Sequence, residues 1–189
     1  MKKLIGILTG IVLVVGMAGI ASAATSDSIT LKISCVVTLS VDIDQAEYNF
    51  GDVSARTPEI STDTIAVTNN SGGLTEDYTI NCSTSTADWN LMTSDPADAD
   101  EDLFSLQAIL KSAQAIEGDY SGKTFFDTNA GTDQDMDIGF GTVAAYIGDD
   151  VPADAVRNIW FRLHTPGTTT TGDEQSLSVT ITANGSGTF

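Results

Sequence analysis

The chain has 189 residues, 26 of them Asp or Glu against eight Lys or Arg, for a formal charge of −18. An acid excess of this size excludes a nucleic-acid binder, which needs a basic footprint, and equally a binder of anionic lipid. It favours solubility, gives divalent cations something to act on, and has a solvated acidic surface as its plainest meaning.

The opening "MKKLIGILTGIVLVVGMAGIASA" carries Lys2 and Lys3, then an uncharged apolar run, then the small-residue site Ala21-Ser22-Ala23. This is the pattern of a cleaved secretory signal over residues 1–23, with an uncleaved anchor as the alternative. No second apolar run follows, so no membrane insertion is expected after cleavage. The mature chain, residues 24–189, keeps six basic residues against 26 acidic ones, a charge of −20. It is long enough for a single domain with a real core, expected in the periplasm, released outside the cell, or held at the cell surface by other proteins.

Residues 28–43, "SITLKISCVVTLSVDI", put Ile29, Leu31, Ile33, Cys35, Val37, Leu39, Val41 and Ile43 on one parity, and the other parity is polar apart from Val36. A period of two is a strand with one buried face, but strands usually run to about six residues. Residues 35–43 suffice to span one sheet. Either the excess bends and switches sheets, or residues 27–34, with Ile29, Leu31 and Ile33, add to an exposed edge of the next subunit. Strand addition draws affinity from main-chain hydrogen bonds and specificity from alternate side chains.

The rest reads as strands divided by turn residues. "AEYNFGDV" is short and breaks at Gly51. "EISTDTIAVTNNSGG" stops at an Asn/Ser/Gly turn. "EDYTINCS" and "DWNLMT" follow, then the acidic loop "DPADADED". "LFSLQAILKSAQAI" fits both periods, with the alternation of Phe104, Leu106, Ala108 and Leu110 favouring a strand. A long Gly- and Asp-rich loop holds a short strand near Phe125. "TVAAYIG", "VRNIWFRLHTP" and "QSLSVTITA" complete the set. In "VRNIWFRLHTP" Ile159, Phe161 and Leu163 face one way and Trp160, Arg162 and His164 the other. About 8–10 strands with no long amphipathic helix predict an all-β, antiparallel, immunoglobulin-like β-sandwich.

Cys35 and Cys82 are the chain's two cysteines. In an exported protein they predict one disulfide, contributing about 3–4 kcal/mol in the chain-entropy model, with two buried free thiols as the alternative. Asp98, Asp100 and Asp102 alternate, as do Asp133, Asp135 and Asp137. Such carboxylates suit Ca²⁺, although neither run has the glycine and closing glutamate of an EF-hand loop. No other cofactor is expected. Trp160 and Arg162 on the non-core face suggest a sugar-stacking platform, or simply packing against a neighbouring loop. The single histidine, His164, comes without a nucleophile elbow, so no enzyme is expected.

Two stretches carry a resemblance. "YNFGDV" followed by "TIAVTNNSGG" resembles the signature of bacterial immunoglobulin-like modules of the ASH type, through Phe50, Gly51, Val53, Val67, Asn69 and Gly72. "CVVTLSVDIDQAEYNFGDV" and the closing "QSLSVTITA" are similar to the first and last strands of chaperone–usher pilins and spore-coat-U-like proteins, although Cys82 falls one strand later than the second pilin cysteine. The whole also looks like secreted β-sandwich proteins of environmental bacteria. The resemblance implies an exported sandwich. With the alternating arm, it leads to the expectation of a structural subunit of a filament, coat or surface layer whose partners are copies of itself or other surface proteins. The competing expectation is a monomeric binding module for glycans or surface ligands.

Overall fold

A computed structural model of the chain describes residues 38–84, 88–126, 133–143 and 146–186. The signal, residues 29–37 of the expected long strand, and Cys35 lie outside the described residues. Within them the chain forms nine strands: β1 (Val41–Ile43), β2 (Pro58–Ile60), β3 (Ile65–Asn69), β4 (Glu76–Thr84), β5 (Asn90–Leu91), β6 (Leu103–Leu110), β7 (Gln134–Asp135), β8 (Val156–His164) and β9 (Leu177–Gly185). The one helical element among the described residues is a four-residue 3-10 turn at Glu117–Tyr120. None of their helices is long and apolar enough to cross a membrane. The fold is all-β.

Six strands form one sheet in the order β1-β3-β8-β6-β5, with β2 also on β8, and three form a second sheet in the order β7-β4-β9. β8 organises the larger sheet. Its first half pairs with β3 (Ile65↔Ile159), its second half with β2 (Pro58↔His164), and its other edge with β6 (Leu106↔Leu163). The "EISTDTIAVTN" run is therefore two strands sharing one neighbour. Among the described strands the pairings are antiparallel except β5 with β6, which is parallel, and two isolated bridges, Glu101 with Thr168 and Leu110 with Gly141, are parallel as well. That corrects the expectation of a purely antiparallel fold.

The expected parity holds where strands are long. Ile159, Phe161 and Leu163 of β8 meet Phe104, Leu106, Ala108 and Leu110 of β6 and Tyr78, Ile80 and Cys82 of β4 in one core between the sheets. β6 is ambiguous in sequence because both its faces are covered. Its second face places Ile109 beside Ala115, Tyr120 and Trp160 in a smaller cluster on the outer side of the large sheet.

Three expected strands are not found among the described residues. Residues 45–53 are irregular: Asn49 Oδ1 accepts the Gly51 N–H at 2.7 Å and Gly51 adopts φ +73°, a turn that needs glycine. Phe125 makes a single bridge to Gln107. In "TVAAYIG" the described residues form no strand; Gly148 instead accepts the Tyr78 N–H at 2.8 Å along the edge of β4.

Candidate functional site

Along one side the described residues of the two sheets leave a gap. A groove of about 730 Å³ runs between β9 and residues 43–53. Its floor is apolar: Ile65, Phe104, Leu106, Ile159, Phe161 and Leu163. Trp89 lies over Phe104, ring centroids 6.1 Å apart, and its indole N–H donates to Thr169 Oγ1 at 3.1 Å. Tyr48 and Phe50, packed edge to face at 4.9 Å, form part of the far wall. Leu177, Val179 and Ile181 of β9 form the near wall and stay half-buried, whereas Tyr78 and Ile80 on neighbouring β4 are buried.

The near wall is also a hydrogen-bonding edge. On β4, Glu76 exchanges backbone hydrogen bonds with Val151, and Tyr78 bonds Gly148 and Met136, all away from β9. The alternate residues Asp77, Thr79, Asn81 and Ser83 therefore serve the ladder to Asn184, Thr182, Thr180 and Ser178. It follows that the main-chain N–H and C=O groups of Leu177, Val179, Ile181 and Ala183 point the other way, along the groove. Among the described residues β9 pairs with β4 alone. One wall thus offers inward apolar side chains and outward main-chain groups from the same residues, which is the arrangement that receives another strand.

The residues singled out in the sequence sit elsewhere. Trp160 is 6% exposed and its indole N–H donates to Lys111 O at 2.9 Å, so its ring offers no face to a sugar. Arg162 is equally buried. Its guanidinium forms a two-pronged pair with Asp95 at 2.7 and 2.9 Å, and also donates to Glu117 at 2.9 Å and Gln107 at 3.1 Å. Burial alone raises the Asp95 carboxyl, but the hydrogen bonds and charge of Arg162 outweigh it and hold the carboxyl below its ordinary range. Asp95 and Glu117 were not legible as partners, because they lie far from Arg162 in sequence. The exposed platform expected of Trp160 and Arg162 is a buried ion cluster over the large sheet. The aromatic residue lining the open groove is Trp89.

His164 stands opposite Ser105 and near Asp95. The Ser105 hydroxyl is fully buried and donates to Asp95 Oδ1 at 3.1 Å, while His164 Nδ1 meets Thr165 O at 3.2 Å. Serine, histidine and aspartate meet here without the serine-to-histidine bond of a nucleophilic relay. Cys82 is buried in the core and its thiol is pushed up to about 12 by burial, which leaves it unreactive.

The six aspartates divide their work. Asp98 faces Arg56 at 3.7 Å, Asp100 accepts the Ala97 N–H at 2.6 Å, and Asp102 accepts both the N–H (2.8 Å) and the hydroxyl (2.5 Å) of Thr170. Asp133 accepts from Asn81 at 2.5 Å and Asp137 from the Gly139 N–H at 2.7 Å. Among the described residues no group of three or more acidic, His or Cys side chains is arranged to hold an ion. Asp135 and Asp137 instead lie close enough to Asp149 to act on it. Burial first, then the charges of Asp77, Asp137, Asp135 and Asp150, raise the Asp149 carboxyl above its ordinary value. A raised carboxyl means that the folded state binds its proton more tightly than the unfolded chain does. Its contribution to stability therefore declines as pH rises from about 4 through the folded value and stays unfavourable at neutral pH. Asp149→Asn is expected to raise the melting temperature at pH 7 in low salt, and the gain should shrink in 0.5 M salt. Thermal denaturation at the two ionic strengths checks both.

Compared with known proteins, the chain matches no protein-family model and no curated sequence.

Proposed function

We propose that this chain is an exported structural subunit of a surface or extracellular assembly, a filament, coat or layer, and that subunits join through the edge of β9. The observation that carries the reading is the groove. Leu177, Val179 and Ile181 line it with half-buried side chains and turn their main-chain groups toward it, while the mature sequence begins with an alternating apolar segment. Filling the groove would bury apolar surface at roughly 25 cal/mol per Å² and satisfy an edge that soluble proteins otherwise protect. In this reading the fold is an immunoglobulin-like sandwich short of one strand, in keeping with the resemblance to pilin and spore-coat-U-like subunits. The N-terminal signal accounts for export, and no catalytic role is assigned.

The test is the mass and shape of mature residues 24–189 in solution, by light scattering and negative-stain microscopy, with and without millimolar Ca²⁺. Polymers that grow with concentration are expected from the mature chain, and monomers from a chain lacking residues 24–34. A compact monomer under every condition would overturn the reading. Growth that requires Ca²⁺ would assign the acidic loops a bridging role.

A further inference from the structure

We infer that a slot on the outer face of the large sheet, above Arg162, binds a neutral, hydroxyl-rich ligand of the size of a sugar ring. The slot lies between the 3-10 turn and the loop that carries Asp95. It has a volume of about 430 Å³, and Asp95, Gln107, Glu117, Tyr120, Phe125 and Arg162 line it. Cavities of about 300–1,000 Å³ are those that take small ligands. Gln107 and Arg162 alternate with Leu106, Ala108, Phe161 and Leu163, which face the core. The slot and the groove beside β9 therefore open on opposite faces of one sheet.

The donors at the base of the slot are all committed. A guanidinium has five N–H groups to give. In Arg162, Nε goes to Glu117 Oε1, Nη1 to Asp95 Oδ1 and Gln107 Oε1, and Nη2 to Asp95 Oδ2 and Glu117 Oε1. Gln107 gives its amide hydrogens to Tyr120 O and Lys123 O, at 3.3 and 3.0 Å. Lys123 turns its ammonium to Ile138 O and Gly141 O. None of these is left for a phosphate, a sulfate or a carboxylate. A cation fares no better. The guanidinium sits against both carboxylates, already offsets their charge, and would repel a second positive group in the same slot.

What the slot offers is acceptors and hydroxyls. Asp95 Oδ2 takes one hydrogen bond, from Arg162, and Glu117 Oε2 takes none from any described residue. Arg162 and the Ser105 hydroxyl hold Asp95 in position before any ligand arrives, so little is spent on ordering it. The deciding observation is Tyr120. Its side chain is 3% exposed, and its hydroxyl has no hydrogen-bond partner among the described residues. Arg162 and Glu117, which line the same slot, lie close enough for their charges to act on it. An orphaned buried hydroxyl costs about 1–3 kcal/mol, and a ligand hydroxyl relieves it because each can donate to the other. Phe125, half-buried and bridged to Gln107, adds an apolar side on which the C–H groups of a ring can rest. Of the two residues expected to form a sugar platform, Arg162 keeps a part as the anchor of the carboxylates, and Phe125 takes the place of Trp160. A subunit joined to others at β9 leaves this face open, so an assembly repeats the site and multiplies weak binding.

The test is saturation-transfer NMR and calorimetry on the mature chain, residues 24–189. The probes are glucose, galactose, mannose and N-acetylglucosamine, each as the free sugar and as its methyl glycoside, with phosphate and methylamine as charged controls. Saturable binding of at least one sugar, at millimolar affinity or better, is expected, and binding of neither ion. Tyr120→Phe should weaken the sugar about fivefold, the loss of one hydrogen bond, without lowering the melting temperature. Glu117→Gln keeps an acceptor for Arg162 but turns the free oxygen into a donor, and should weaken binding at least as much. A methyl glycoside that binds as well as its free sugar would assign the site to the end of a glycan chain; one that fails to bind would assign it to the free sugar. Binding of no sugar, binding that both variants leave unchanged, or phosphate or methylamine bound instead would each overturn the inference. So would a Tyr120→Phe variant that melts lower without sugar, since its hydroxyl would then be partnered inside the fold. Light scattering on the same samples reads assembly separately, so failure of one reading does not carry the other with it.

Discussion

Asp95→Ala is expected to destabilise the protein by about 3 kcal/mol, and Arg162→Met by only about 1 kcal/mol, although the second removes the larger polar group. The difference follows from where each partner can go. The Arg162 side chain is 6% exposed, whereas those of Asp95 and Glu117 are 43% and 55% exposed. Without Asp95, a guanidinium stays buried with half its hydrogen bonds gone, and the Ser105 hydroxyl loses its acceptor at the same time. Without Arg162, both carboxylates turn to water, and methionine refills the space beside Gln107. Denaturant titration of the two variants orders them; equal losses would mean that the cluster relaxes freely. The cost of Asp95→Ala should also fade in acid. The depressed carboxyl contributes stability that is present above its unfolded value of about 4 and is lost as pH falls through the lower folded value.

The second large effect is expected at Asn69. This side chain is fully buried. Its Nδ2 donates to Leu74 O and Val151 O, both at 2.8 Å, and its Oδ1 accepts the N–H (3.0 Å) and the hydroxyl (2.6 Å) of Ser71. One amide thus holds the turn through Gly72 and Gly73, both at positive φ, and ties it to the strand edge at Val151. Asn69→Ala should cost about 2–3 kcal/mol. Asn69→Asp keeps the shape but sets a carboxylate oxygen against two carbonyls. It should be the worse variant at pH 7 and recover as pH falls, because protonation restores a donor. Chemical denaturation at pH 7 and pH 4 separates the two; an aspartate variant that is the more stable at pH 7 would refute the assignment.

What the sequence made legible follows from strand length. Over nine residues of β8 the alternation is unmistakable, and Phe161 and Trp160 take opposite faces as expected. β9 gives Leu177, Val179 and Ile181 one face in the same way. Two-residue strands such as β5 and β7 carry no period at all. The turn at Gly51 was visible as a break in "AEYNFGDV", but the residues before it lack a strand neighbour and remain irregular. Arg162 could be placed on the outer face, but not its partners, because Asp95 and Glu117 approach across loops that no local pattern encodes. The groove was least visible of all, since its two walls, β9 and residues 43–53, come from opposite ends of the described chain and no local pattern says that they face each other. The alternating run over residues 28–43 was the plainest pattern after the first 23 residues, but most of it lies outside the described residues.

The order of the strands has a kinetic consequence. β2, β3 and β6 all find their main partner in β8, and β4 pairs along its length with β9, so Glu76 waits for Gly185. Closing loops of this size is entropically costly, and folds rich in distant pairings form slowly. A chain emerging N-terminus first can make only β1 with β3, the brief β5 with β6 and the two-residue contact of β4 with β7 until its last fifth appears. It therefore stays threadable through a narrow pore for nearly its whole length and commits to its folded form only at the end.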